Sequence, residues 1–180
     1  MNHSLRLAFC SMTAALGTAI MFLTGFVPIG TYVLPAFAGI LSIFVVAEAG
    51  TKWALSVYAV QSVLSVVLAA DKEAVLCFIL FFGYYPILKA VLEGHLHLRW
   101  IRAAAKLAVF NAAVVFGFWF SVKFLGVPMD SFLIFGSHVL WLSLLAGNFV
   151  FLVYDYAISL LVIEYYNRLH PLLKKWLSMK

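Results

Sequence analysis

Apolar runs of membrane-crossing length, separated by short polar breaks, make up nearly the whole chain. A transmembrane helix needs about 20 mostly apolar residues. Leu5 to Val27 fits the first, closed by the turn Val27-Pro28-Ile29-Gly30. Its start imitates a signal peptide, but the apolar part is too long and no small-x-small site follows, which predicts a retained helix. Tyr32 to Ala49 is the second run, ended by Gly50 and Lys52, and Trp53 to Ala70 is the third. A tight polar loop, Asp71-Lys72-Glu73, precedes the fourth, Ala74 to Leu92. Within it Pro86 removes a helix hydrogen bond, which predicts a kink near Phe82. A basic loop from Glu93 to Arg102 leads to the fifth run, Ala103 to Leu125. Gly126 to Gly136 reads as a loop or partial helix, Ser137 to Tyr165 as a long sixth helix, and Asn167 to Lys180 as a polar, basic tail. The expectation is an all-α, polytopic membrane protein: one domain over residues 1–180, with helices near 5–27, 32–49, 53–70, 74–92, 103–125 and 137–165.

Composition agrees. The chain is 66% hydrophobic and 11% charged, against about 25% charged in ordinary soluble domains, and its mean hydropathy is +1.07. The net charge of +5 could suggest nucleic acid, but the basic residues sit at span ends, where they act as topology signals. With the N-terminus inside, Arg6, Lys52, Lys89, Arg99, Arg102, Lys106, Arg168, Lys174, Lys175 and Lys180 fall on the inner side, and only Lys72 and Lys123 fall outside. That bias predicts cytoplasmic termini. Cys10 and Cys77 belong at opposite depths, too far apart for a disulfide.

Polar groups inside spans are costly and therefore informative. Glu48, Gln61, Lys89, Asn111, Lys123, His138, Asn148 and Asp155 are the candidates. At 1.5 Å rise per residue, Asn111 and Asn148 fall near the membrane middle, as ligand-binding amides or as an interhelical pair. Lys89 and Asp155 fall in the inner half and predict a structural ion pair, with Lys106 as the alternative cation. The sharper alternative makes Asp155 a proton- or ion-coupling carboxylate. The outer halves of the last three helices carry Phe81, Tyr84, Trp119, Lys123, His138 and Trp141, which suit a flat, polar small molecule or an interfacial aromatic belt. Helix 1 places Ser11, Ala15 and Ala19 at four-residue spacing, with Ala8 on the same stripe, a pattern that lets another helix approach closely. No HExxH, GxSxG or P-loop motif is present, so neither enzyme chemistry nor a metal is expected. His95-x-His97 reads as a solvated feature of the basic loop.

With these residues in view, the chain resembles the S component of an energy-coupling factor (ECF) transporter, the small membrane subunit that captures a vitamin or similar micronutrient. Six helices, cytoplasmic ends, the basic inner loop after helix 4 and the AxxxA pattern of Ala15 and Ala19 carry the resemblance. It implies a bacterial cell membrane and a helix 1 face that meets a transmembrane T component driven by two ATPase subunits. It also implies an outer substrate site walled by helices 4 to 6, with Tyr84, Asn111, Trp119, Lys123, His138, Trp141 and Asn148 as candidates, and a lid from Pro28 to Tyr32. No cofactor is implied. A membrane scaffold without a ligand and a small ion-coupled carrier stand as the competing readings.

Overall fold

A computed structural model describes residues 3–27, 30–96, 98–124 and 139–169. Apart from short turns, these segments are helical. The helices are α1 (His3–Leu23), α2 (Gly30–Ala49), α3 (Thr51–Leu68), α4 (Lys72–Cys77), α5 (Tyr85–His95), α6 (Arg99–Phe124) and α7 (Val139–Glu164). A π-helical stretch, Phe78–Phe82, joins α4 to α5, and another, Tyr165–Leu169, extends α7. Counting α4 and α5 together as Lys72–His95, six helices among the described residues are long and apolar enough to cross a membrane.

Helix α2 is the hub: it packs on α1, α3, α4, α5 and the π-helical stretch. Its inward face is small, with Pro35, Ala38, Gly39 and Ser42 all buried, so neighbouring backbones come close. Among the described residues three apolar clusters form the core. Cys10, Ala14, Val45, Ala54, Val57 and Ile87 join α1, α2, α3 and α5. Met21, Ala38, Ala69, Ala74, Val75 and Phe78 join α1, α2 and the end of α3 to α4 and the π-helical stretch. The third is aromatic, with Phe81, Tyr85 and Phe151 tying α2 and α5 to α7. There the Phe110 and Phe151 rings stack at 4.8 Å. Cys10 and Cys77 are free thiols.

The break expected from Pro86 is present, and its construction follows from hydrogen-bond accounting. The Gly83 amide bonds the Phe78 carbonyl at 2.8 Å, one residue further back than in an α-helix. That frees the Ile79 carbonyl, which accepts the Tyr58 hydroxyl at 2.8 Å. Pro86, having no N–H, leaves the Phe82 carbonyl without its usual donor. This carbonyl lies against Gly39 so closely that a Cβ there would collide with it. The bulge is thus held from α2, at Gly39, and from α3, at Tyr58.

The polar loop before the fourth span is a double cap. Asp71 Oδ1 accepts the Ala74 amide at 3.0 Å and caps α4, while its Oδ2 accepts the Thr31 hydroxyl at 2.8 Å. Lys72 donates to the Val66 and Ala69 carbonyls, closing the end of α3. Helix ends differ from expectation where charges lie: α5 runs to His95 and α6 starts at Arg99, so the basic loop is far shorter than Glu93 to Arg102. Long basic side chains can reach water from a helix end, so a hydropathy boundary stops short of the helix.

Candidate functional site

Three helices bring the buried charges together. Tyr85, Lys89 and Glu93 lie at four-residue steps along α5, on one face. Lys106 comes from α6, and Asp155 and Ser159 from α7. Lys89, 3% exposed, donates to Asp155 Oδ1 at 2.5 Å, the Asp155 carbonyl at 2.6 Å and Ser159 Oγ at 2.6 Å. An ammonium has three protons, and all three are used.

Lys106 is not an alternative to Lys89, as the sequence suggested, but a simultaneous partner. Its Nζ lies 3.1 Å from both Asp155 carboxylate oxygens and 2.7 Å from Glu93 Oε1. The Tyr85 hydroxyl donates to Asp155 Oδ1 at 2.6 Å, and Glu93 also lies 3.7 Å from Lys89. Two ammoniums therefore face two carboxylates, and the cluster is charge-balanced. Tyr85, Glu93 and Ser159 escaped the sequence reading, although the Tyr85, Lys89, Glu93 spacing was a usable signal.

Beside this cluster a cleft of about 240 Å³ opens between α5, α6 and α7. Its polar lining is Glu93, Arg99, Arg102, Lys106, Asp155 and Ser159. A second groove, about 320 Å³ and largely apolar, runs between α3 and α5 past Thr51, Lys52, Leu55 and Tyr84. Both lie toward the end of the bundle that carries Gly50 and His95.

The candidate outer-site residues that the structure describes have separate surroundings. Tyr84 turns toward α3, its ring 6.1 Å from that of Tyr58. Asn111 and Asn148 pair with each other: each amide nitrogen donates to the other's oxygen at 3.1 Å, and Asn111 also donates to the Leu107 carbonyl at 2.8 Å. On the outer surface of α6, Lys123 Nζ sits 4.7 Å above the Trp119 ring, a cation–π contact one helical turn apart. His138 lies outside the described residues, as do the Trp141 side chain, Pro28 of the expected lid, and His97. His95 Nδ1 is 2.9 Å from the Val91 carbonyl.

Helix 1 divides by face. Cys10, Thr13, Ala14, Gly17, Thr18 and Met21 point inward, and Gln61 reaches from α3 across Gly17 to donate to the Thr13 carbonyl at 3.1 Å. Ala8, Ser11, Ala15 and Ala19 are exposed on the other side.

Comparison with family models, curated proteins and solved structures gave no match.

Proposed function

We propose that this chain is the substrate-binding membrane subunit of an ECF-type transporter, an S component. It would capture a small water-soluble micronutrient from the outer side of a bacterial cell membrane, for uptake powered by a T component and two ATPase subunits. The observation that carries this reading is the division of α1. The chain's own fold uses the threonine and glycine face, and the Ser11, Ala15, Ala19 stripe is left outward, open to a second membrane chain. A helix seam in lipid relies on close packing of small residues, and an outward stripe is placed for that use. Asp155 is held by two ammoniums and a phenol, which favours a structural role for it over the coupling role of a carrier.

The test is co-purification from native membranes through a tag on this chain. Wild type should bring a T component and ATPases with it. Ala15→Trp and Ala19→Trp should lose them while melting within about 2–4 °C of wild type, the shift worth ~1 kcal/mol in a chain of this size. Wild type eluting alone, or tryptophan variants that keep the partners, would refute the proposal.

A further inference from the structure

The cleft at the Arg99 end is a second feature, independent of the transporter reading. We propose that it holds the phosphate of an anionic phospholipid headgroup. The argument begins with charge balance. Lys89 and Lys106 are matched by Asp155 and Glu93 at 2.5–3.7 Å. Arg99 and Arg102 line the same cleft and form no ion pair among the described residues. The carboxylates are thus neutralised from within, and the cleft keeps an excess of two guanidinium charges. Arg99, Arg102 and Lys106 follow one another at steps of three and four on α6, so they share a face. A guanidinium's planar fork matches phosphate oxygens in pairs.

Room is sufficient. About 240 Å³ is many times the ~10–15 Å³ of such space that one water needs, enough for a phosphate group.

The surroundings select a lipid over a soluble anion. Leu98, Trp100 and Ile101 flank the two arginines and are exposed, Trp100 by 87%. Tryptophan at the end of a span belongs at the headgroup level, and its apolar neighbours would contact acyl chains, which a free phosphate lacks. Basic pockets between transmembrane helices recognise anionic headgroups by this combination.

The experiment titrates the detergent-solubilised full chain with phosphatidylglycerol, phosphatidylcholine and inorganic phosphate at fixed ionic strength, reading bound lipid by native mass spectrometry. Each arginine near the surface should be worth about fivefold in affinity for the anionic lipid, so Arg99→Gln or Arg102→Gln should weaken binding about fivefold and the double variant about 30-fold. Arg168→Gln removes a charge outside the cleft and should change affinity less than about twofold, within the spread of a screened surface charge. Arg99 is exposed, so its single variant serves if the double variant is unstable. Phosphatidylcholine binding as tightly as phosphatidylglycerol would overturn the proposal. So would an unchanged double variant, an equal loss in Arg168→Gln, or displacement of the lipid by inorganic phosphate, which would make the site one for a soluble anion.

Discussion

Removing Asp155 tests the charge cluster most directly. In Asp155→Leu the two ammoniums retain one carboxylate, Glu93, which stands 2.7 Å from Lys106 and 3.7 Å from Lys89. The remaining hydrogen bonds of Lys89, to the backbone carbonyl of residue 155 and to Ser159 Oγ, are to neutral groups. Breaking a buried pair by deleting one partner costs about 3–5 kcal/mol, and one unpaired charge at the centre of a membrane helix costs about 2.5–3.5 kcal/mol. The Asp155 side chain is 22% exposed, so the lower end applies: about 3 kcal/mol, or a fall of roughly 6–12 °C in melting temperature at about 2–4 °C per kcal/mol. Adding Lys89→Met removes the excess cation and leaves Lys106 and Glu93 as a matched pair. The double variant should therefore be more stable than Asp155→Leu alone, with a coupling of about 1–3 kcal/mol. Thermal melts of the four proteins in one detergent, followed by circular dichroism, complete the cycle. Asp155→Asn keeps the shape and should lose nearly as much as Asp155→Leu, since the charge is what is missing. Strictly additive losses would refute the reasoning, and so would a double variant less stable than both singles.

Two further predictions concern the frame. In a Cys10→Ala, Cys77→Ala background, Ala70→Cys should react with an impermeant thiol reagent on intact cells and Gly94→Cys should not; the reverse pattern would invert the orientation drawn from Lys and Arg. At the bulge, a Cβ on Gly39 would stand 2.8 Å from the Phe82 carbonyl carbon, so Gly39→Ala should cost about 1–3 kcal/mol through backbone displacement. Tyr58→Phe should cost about 0.6–1.7 kcal/mol by stripping the Ile79 carbonyl of its donor, and melts indistinguishable from wild type would remove the bulge's claimed support.

Much of the frame was legible because helices long and apolar enough to cross a membrane obey a simple rule. Each crossing needs a long apolar run, so the number and order of helices follow from hydropathy alone. Relative level was legible too: a fixed rise per residue placed Lys89 level with Asp155, and Asn111 level with Asn148, and both pairs are in contact. Helix ends were less legible, because Arg99 and Arg102 interrupt an apolar run without interrupting a helix. The roles of Asp71 and Lys72 were hidden for another reason. Their partners, Thr31 and the carbonyls of Val66 and Ala69, include backbone groups that every sequence contains.

What sequence could not supply is rotation about the helix axis, and the fourth span shows why. Tyr84 and Tyr85 are adjacent, so an α-helix turns them about 100° apart, from 360° over 3.6 residues per turn. Tyr84 turns toward α3, whereas Tyr85 is fully buried and donates to Asp155 on α7. A helical wheel carried straight through the span would need an uninterrupted α-helix. The π-helical stretch at Phe78–Phe82 breaks that count, because a turn closed by an i, i−5 bond contains one extra residue. Every side chain after Phe82 is therefore rotated by about one residue's worth relative to the wheel. Pro86 marks where the ladder must break, but the way it breaks depends on Gly39 and Tyr58, two residues on other helices. The aromatic wall assigned to Tyr84 and the charge cluster that uses Tyr85 thus differ by a single residue of register. That register is fixed by packing against α2 and α3, which no periodicity within residues 74–92 records.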